Sequence, residues 1–368
     1  MTDAGALLYS PESEDLRSAL RAMLSQHCDW TEVLARTELA DTADHVWKRL
    51  TGEMGCAGLP IPEDRGGHGA SWSETAVVVE ELGRAVADVP FLTSAVIALA
   101  VLQGLGDSDM LGQIADGSLV AAVAAPWPRL QEPSTTKPAW SGGNIQGDVS
   151  LVAGAIGADV LLVPAGDALI AVDPATVQIH SAIAFDQTRP LADLHFENVE
   201  GRVLAAGPQV AVALNHAATI GVAMIASEQL GIAERCLELT VQHALRRTQF
   251  GRLIGSYQAV KHRLADVWVS IVEAKAVARY AANCAAENSP DLAIASSLAH
   301  VVCSRAALRA TQEMIQVHGG IGFTWEHPAH LYLKRARANA TALGTEIWHR
   351  RQLGVKLGLT SRDGHARR

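Results

Sequence analysis

The stretch "LRRTQFGRLIGSYQAVKHRLADV", residues 245–267, joins two long helical segments through a short Phe-Gly turn. Arg246 and Arg247 end the first helix, where the helix dipole favours cations in any case. The second helix opens at Gln258. An arginine at this turn could also reach across a subunit interface to a diphosphate, beside the amides of the following helix start. From these residues alone, compensation of the helix dipole is the simpler interpretation.

A second informative stretch, "QVHGGIGF", covers residues 316–323 and ends another long helical pattern. Adjacent glycines after a helix are typical of a Schellman-type stop. They also let the backbone approach a flat or anionic ligand closely, with Gln316 available to hydrogen-bond it. The residues alone leave both interpretations open.

Around these two stretches the C-terminal part of the chain is Ala-rich and poor in proline, which predicts long helices. They cover residues 216–247, 256–288, 290–319 and 327–342. Short loops between four long helices favour an antiparallel four-helix bundle. We expect this bundle to occupy residues 205–358, followed by a flexible tail at 359–368.

The rest of the chain divides into a helical and a β-rich part. Ser10-Pro11 reads as an N-cap and first helical position, and a helix restarts at Ser71. Residues 116–204 form short β-branched runs between Gly, Pro and Asp turns, which predicts a small antiparallel sheet or barrel. The predicted fold is therefore α+β and multidomain: a helical domain at 1–115, a β-domain at 116–204, then the bundle.

Composition excludes several classes of protein. A formal net charge of −9 over 368 residues disfavours binding to nucleic acid or to anionic membranes. The longest apolar run, residues 95–102, is too short to cross a bilayer, and the acidic N-terminus lacks the pattern of a signal peptide. Five scattered cysteines without a CxxC pair favour reduced thiols, so we expect a cytoplasmic protein.

Searches for common catalytic motifs find no GxSxG, Walker A, HExxH, or GxGxxG between a strand and a helix. In "EHPAH" (residues 326–330), Pro328 disrupts the helical face that a pair of histidine ligands would need. A capping and surface role for His327 and His330 is the favoured interpretation, and no metal site is predicted.

The two stretches, in this order, spacing and α-β-α layout, resemble the acyl-CoA dehydrogenase family. The resemblance covers nearly the whole chain and also includes residues 58–84, 316–338 and "LGTEIWHR" at 343–350. It implies FAD as cofactor and the α,β-desaturation of an acyl-CoA thioester. In that reaction a carboxylate removes the α-proton and flavin N5 accepts the β-hydride.

The resemblance also implies site residues and partners. FAD in this family lies between the β-domain and the bundle of one subunit and extends to a neighbouring subunit. The residues implied to contact a neighbour's FAD are Arg247, Gln249, Phe250, Gln316, Gly319 and Gly320, with Gln258 and Thr345 as further candidates. An acyl-CoA substrate, an oligomeric partner and an electron-accepting flavoprotein are implied as well.

The chain departs from the family where the catalytic base is expected. Leu343 stands immediately before the Gly-Thr step where many members carry Glu, and Gly221 stands where another branch carries it. No catalytic residue is therefore predicted. The nearest carboxylates are Glu346, at a helix start, and Glu228, about 10 Å along the helix from Gly221.

The β-domain departs as well. Residues 122–133 and 147–164 lack most of the hydroxyls and charges that hold the isoalloxazine ring in the family. We expect a base-lacking subunit that completes the FAD site of an unlike partner in an α2β2 assembly, acting on steroid side-chain or other bulky CoA esters. Two alternatives stay open: a self-sufficient homomeric enzyme with a relocated base, Glu346 or Glu228, and a non-catalytic protein that binds an acyl-CoA or a partner.

Overall fold

Helices fill the N-terminal part of the chain in the computed structural model, which describes residues 9–39, 44–107, 109–130 and 137–359. Ser10 caps the first helix as predicted, and its hydroxyl accepts a hydrogen bond from the Ser13 amide at 3.2 Å. Ser71 and Glu74 form a capping box at the start of α4. The helices are α1 (Pro11–His27), α2 (Trp30–Leu39), α3 (Asp44–Lys48), α4 (Trp72–Ala85), α5 (Leu99–Leu105) and α6 (Asp109–Ala115), with π-helical segments at Arg49–Glu53 and Phe91–Ala98.

Two four-stranded sheets pack face to face in the middle of the chain, in the orders β1-β4-β5-β8 and β2-β3-β7-β6. Neighbouring strands are antiparallel except β1 and β4, which are parallel. Side chains of β4 alternate: Leu161 and Val163 enter the core between the sheets, whereas Leu162 joins the core shared with the helices. The strands are β1 (Ala121–Val123), β2 (Ala139–Ser141), β3 (Asn144–Ala153), β4 (Val160–Ala165), β5 (Ala168–Val172), β6 (Gln178–Ala182), β7 (Leu191–Glu200) and β8 (Arg202–Ala206).

The C-terminal part contains three long helices and two shorter ones. The long helices are α7 (Pro208–Ala244), α8 (Gln258–Ala286) and α9 (Leu292–His318), and the shorter ones are α10 (Ala329–Asn339) and α11 (Glu346–Lys356). A hairpin of β9 (Thr248–Gln249) and β10 (Arg252–Leu253) links α7 to α8. The predicted α-β-α fold class is confirmed, although the fourth bundle helix is only 11 residues long.

Close backbone contact fixes how α7 crosses α4. A Cβ placed on Gly231 would lie 1.9 Å from the Glu80 carbonyl oxygen, and one on Gly83 would lie 2.3 Å from the Glu228 carbonyl oxygen. Since neither position has room for a side chain, the two glycines allow the helices to touch. This crossing joins the N-terminal helices to the bundle.

The domain boundaries remain predictions, and the predicted tail, apart from Leu359, lies outside the described residues. All five cysteines are buried and unpaired. By length and composition, α7 is the one helix in the described part of the chain that could cross a membrane. However, 72% of the most apolar stretch of α7 is buried inside the chain, and the core helix of a folded domain has the same property.

Candidate functional site

The two positions at which the family resemblance places a catalytic base meet in one small space, called here the base position. Leu343 is 1% exposed, and its backbone has a left-handed φ of 53°. A Cβ added to Gly221 would lie 2.8 Å from Leu343 Cδ1 and 3.1 Å from Ile97 Cγ1. The leucine side chain therefore occupies the space that a side chain at residue 221 would need. Neither position offers a proton acceptor.

Trp127 borders the base position from the β-rich part of the chain. Its carbonyl accepts a hydrogen bond from the Leu343 amide at 3.0 Å, and its side chain is buried in the main core. The Arg189 guanidinium carbon lies 5.8 Å from the centre of its ring. Trp127 falls in residues 122–133, the segment that the family resemblance assigns to holding the flavin ring. A bulky buried indole stands in that segment here.

Glu228, one of the two alternative bases, is locked in ion pairs. Its carboxylate accepts hydrogen bonds from Arg189 at 2.7 and 2.9 Å, from Arg335 at 2.5 Å and from Asn339 at 2.9 Å. Burial raises its pKa, but the two guanidinium groups outweigh that effect and hold the pKa at about 2. A carboxylate held by these partners is a weak proton acceptor, so its contacts favour a structural role for Glu228 over that of a relocated base.

Glu346, the other alternative, begins α11 on the surface. It accepts a hydrogen bond from Arg305 Nε at 3.0 Å and forms ion pairs with Arg305 at 2.7 Å and Arg350 at 2.8 Å. Partial burial raises its pKa, but hydrogen bonding to Arg305 and the charges of both arginines lower it overall. Thr345 caps the same helix by accepting a hydrogen bond from the Trp348 amide at 3.3 Å. These contacts give Glu346 a helix-stabilising role.

A buried pair of histidines under the base position was not apparent from the sequence. The rings of His300 and His349 stack with centroids 4.3 Å apart. His300 Nε2 donates to the Ala342 carbonyl at 3.2 Å and so supports the turn that carries Leu343. Burial lowers the pKa of His300 to about 4 and, with the neighbouring His300, that of His349 to about 3. Both rings are therefore neutral at physiological pH.

The residues implied to contact a neighbour's FAD form an open surface, called here the cofactor-facing surface (Arg247, Gln249, Phe250, Gln316, Gly319 and Gly320). All six are exposed. Among the described atoms, nothing lies within 4 Å of a Cβ added to Gly319 or Gly320. Internal packing therefore does not require glycine at either position, and both backbones are accessible to a molecule outside the chain.

The hairpin at this surface places an aromatic side chain in solvent. Phe250 and Gly251 have φ values of 52° and 77°, which correspond to the two central residues of a type I′ turn. Phenylalanine is an unfavourable residue for left-handed backbone, and Phe250 is 93% exposed. Gln258 is the exposed first residue of α8, just beyond this hairpin. Strain combined with exposure of an aromatic ring is typical of a binding surface.

A cavity of about 410 Å³ opens between the N-terminal helices and the sheets. Leu92 and Thr93 line it, one helical turn before Ile97 at the base position. The arginines in its wall are neutralised, Arg36 by Asp88 at 2.7 Å and Arg189 by its buried carboxylate partner. The wall therefore favours an apolar ligand that makes few hydrogen bonds.

Comparison with known proteins gives concordant matches. Residues 10–110 match the N-terminal domain of acyl-CoA dehydrogenases, and residues 211–357 match the C-terminal domain. The acyl-CoA dehydrogenase IpdE2 of Mycolicibacterium smegmatis is 34% identical over 336 residues, 91% of this chain and 95% of IpdE2.

Solved structures agree with these matches. The ChsE4–ChsE5 complex of Mycobacterium tuberculosis gives a TM-score of 0.84 at 26% identity, covering 96% of this chain and 99% of that chain. A steroid acyl-CoA dehydrogenase, Tcur3481–Tcur3483, gives 0.82 at 26% identity, covering 94% and 98% of the respective chains.

Proposed function

This chain belongs to the acyl-CoA dehydrogenase family, and from that premise we propose that it is the subunit without a catalytic base in a heteromeric, FAD-dependent acyl-CoA dehydrogenase. The observation that carries the proposal is the base position, where Leu343 fills the space that a carboxylate at residue 343 or 221 would occupy. An unlike partner subunit then supplies the base.

The cofactor-facing surface of this chain fits the part of a neighbour's FAD that extends across the subunit interface. Arg247 can neutralise the diphosphate, the backbone at Gly319 and Gly320 can approach it closely, and Gln249 and Gln316 can donate hydrogen bonds. When bound, FAD accepts the hydride from the β-carbon of the acyl-CoA. The chain's own ring site fits poorly, because Trp127 is buried in the segment that would hold the ring.

Two relatives support the heteromeric arrangement. ChsE4–ChsE5 is a complex of two differently named chains, and Tcur3481–Tcur3483 is described as a steroid acyl-CoA dehydrogenase. By this likeness the proposed substrate is a steroid side-chain or other bulky CoA ester in an α2β2 assembly. A flavoprotein electron acceptor and a cytoplasmic location belong to the same proposal.

Co-expression tests the proposal. The chain is purified alone and together with an acyl-CoA dehydrogenase homologue that has a catalytic Glu and both ring-binding motifs, and flavin absorbance and acyl-CoA oxidation are measured. We expect little FAD and no turnover for the chain alone, and both for the pair. Stoichiometric FAD together with turnover by the chain alone would overturn the proposal.

Replacing each arginine at the turn in separate variants shows whether Arg247 contacts the FAD diphosphate directly or acts only through the positive charge of the surface. Arg247→Gln in the pair is expected to lower FAD affinity by about tenfold, the effect of losing one charge-assisted hydrogen bond. Arg246→Gln is the matched control, because Arg246 is an equally exposed neighbour at the same helix end. Equal effects of the two variants would count against a specific contact with FAD.

The apolar cavity favours a second candidate function, a non-catalytic protein that binds an acyl group without flavin. This candidate predicts a colourless protein with every homologous partner tested, and calorimetric binding of an acyl-CoA to the chain alone. Replacing Thr93 with Leu at the cavity wall would then weaken that binding. Flavin in any purified pair would favour the heteromeric enzyme instead.

A further inference from the structure

Three imidazole rings lie in contact at the end of the bundle from which the cofactor-facing surface emerges, one pair stacked and the other tilted by 39°. His243 in the last turn of α7 lies 4.2 Å from His318, centroid to centroid, and His318 lies 4.3 Å from His327. His318 is the last residue of α9, and His327 lies just before α10. This histidine stack (His243, His318 and His327) therefore joins three chain segments that are separate in the sequence.

Backbone hydrogen bonds connect the stack to the hairpin side of the cofactor-facing surface, and chain continuity connects it to the glycine turn. The His243 carbonyl accepts hydrogen bonds from the backbone amides of Arg246 at 3.0 Å and Arg247 at 2.9 Å. His318 Nδ1 donates to the Met314 carbonyl at 2.7 Å, and Gly319 follows directly. His327 Nδ1 accepts a hydrogen bond from the Ala329 amide at 3.3 Å. The stack therefore adjoins the hairpin along the chain through His243 and adjoins the glycine turn through His318.

The surroundings of the stack favour uncharged rings. Burial lowers the pKa of all three rings and, with unfavourable interactions among the neighbouring histidines, brings that of His327 to about 4; Arg247 lowers the pKa of His243 further. The titratable groups nearest the stack are cations or neutral bases: Arg247 from the hairpin, and His330 and Lys334 from α10. Of the carboxylates nearby, Glu326 is exposed and Glu313 is bonded to Arg263 at 2.7 Å.

We propose that the histidine stack is a positioning device that holds the hairpin and the glycine turn in register for the neighbour's FAD while its rings are neutral, and that separates them when the rings are protonated. The FAD part of this inference rests on the proposed function. Two cationic rings at stacking distance repel each other, and Arg247 adds a third positive charge.

The sign of the pH dependence follows from the lowered pKa values. Because the folded chain binds these protons less readily than the unfolded chain, the contribution of the stack is fully present above about pH 6.5 and is lost as the pH falls towards 4. The two segments should therefore loosen in mild acid.

Replacing one ring separates stacking from titration. His243→Phe keeps an aromatic ring but cannot be protonated, and His243→Ala removes the ring. His327→Phe provides the same test from the other end of the stack. His216→Phe is the matched control, because His216 is also a partly buried histidine of α7, with a pKa lowered by burial, that lies in the first third of the helix.

The first measurement is hydrogen-exchange protection of the bonded amides of Arg246, Arg247, Ile254 and Gly319 in the full chain, from about pH 7.5 to about pH 5. We expect protection in the natural chain and in His216→Phe to fall at least about tenfold over this range, because the pKa of His327 is lowered from 6.5 to about 4 and each unit of pKa shift changes the opening equilibrium about tenfold. Protection in His243→Phe should fall less than in the natural chain, because one of the three titrating rings is gone, and protection in His243→Ala should be low throughout. A natural chain with pH-independent protection, or a His243→Phe variant that follows the natural pH profile, would overturn the proposal.

The second measurement is release of FAD from the assembled pair over the same pH range, followed by the rise in flavin fluorescence. Release from the natural pair should increase in acid, and His243→Phe should reduce this increase. If exchange depends on pH as expected but FAD release does not, the positioning device stands and its link to FAD fails. If the pair holds no FAD at any pH, the proposed function fails, and the exchange result still decides whether the stack titrates.

Discussion

The base position and the cofactor-facing surface differ in how tightly their residues are packed by the rest of the chain. At the base position, Leu343, Gly221 and Ile97 fill one another's space, and Trp127 closes the site from the sheets. At the cofactor-facing surface, an exposed aromatic ring and two open glycines have no packing role within the described chain. The comparison shows a filled, fully packed space at the base position and an open, accessible one at the cofactor-facing surface, which is the difference that the proposed function relies on.

The largest effect is expected from breaking the ion-pair cluster beside the base position. Arg335→Met leaves Glu228 and Asp186 as buried carboxylates without their shared partner. Removing one member of a buried pair costs about 3–5 kcal/mol, so the urea midpoint should fall steeply. Arg263→Met is the control, since its pair with Glu313 is exposed and contributes about 0–1 kcal/mol.

The same cluster sets an acid limit for stability. The pKa of Glu228 is about 2 in the folded chain, below its value when unfolded, so its contribution is present above about pH 4.5 and is lost as the pH falls towards 2. Urea titrations at descending pH should show this loss, and Glu228→Gln should flatten that part of the profile. An unchanged profile in the variant would show that other groups dominate.

A double-mutant cycle tests whether residues 221 and 343 share one space. Gly221→Ala should cost about 1–3 kcal/mol by overpacking, and Leu343→Ala about 2–4 kcal/mol by leaving a cavity. Because the shorter residue 343 makes room for the new methyl group, the double variant should cost at least about 1 kcal/mol less than the sum. Additive losses in the free energy of unfolding would contradict a shared space.

At the open surface we expect the reverse: binding changes while stability does not. Gly320→Ala places a methyl group in empty space, so its free energy of unfolding should change by no more than about 0.5 kcal/mol. FAD affinity of the assembled pair should nevertheless fall about tenfold, since the backbone is held away from its ligand. Gly52→Ala is the control, because Gly52 also has open surroundings but lies in the N-terminal part of the chain.

The smallest effect is expected at Glu346. Replacing it with Gln removes its ion pairs with Arg305 and Arg350 and its favourable position in the first turn of α11, a loss of about 1 kcal/mol at most. Turnover by the assembled pair should not change. A large loss of turnover with normal stability would restore Glu346 as a relocated base.

Local sequence predicted much of the fold because its signals lie within a few residues of one another. The Ser10 and Ser71 caps, the turn after α7 and the end of α9 are examples. The sequence pattern does not single out β2 and β8 as strands. Each is at most five residues long, and β8 runs directly into the proline-led start of α7, so neither has a clear alternating pattern.

The site could be predicted only where the family resemblance supplied positions. It identified Leu343 and Gly221 separately, but their contact depends on how α7 meets the turn before α11. The partners of Glu228 lie 39 and 107 residues away, so its ion pairs had no local signal. The same holds for the histidine stack and for the pair of His300 and His349, whose members come from different elements.

The position of Arg335 has a consequence for how the molecule unfolds. Its guanidinium bonds to the Ala87 carbonyl in the N-terminal part, to Asp186 and Thr188 between β6 and β7, and to Glu228 in α7. If any one of these parts opens locally, a buried charge in the other two loses its partner. The three parts of the chain should therefore lose their structure together, in a single cooperative transition, even though the sequence divides them into domains.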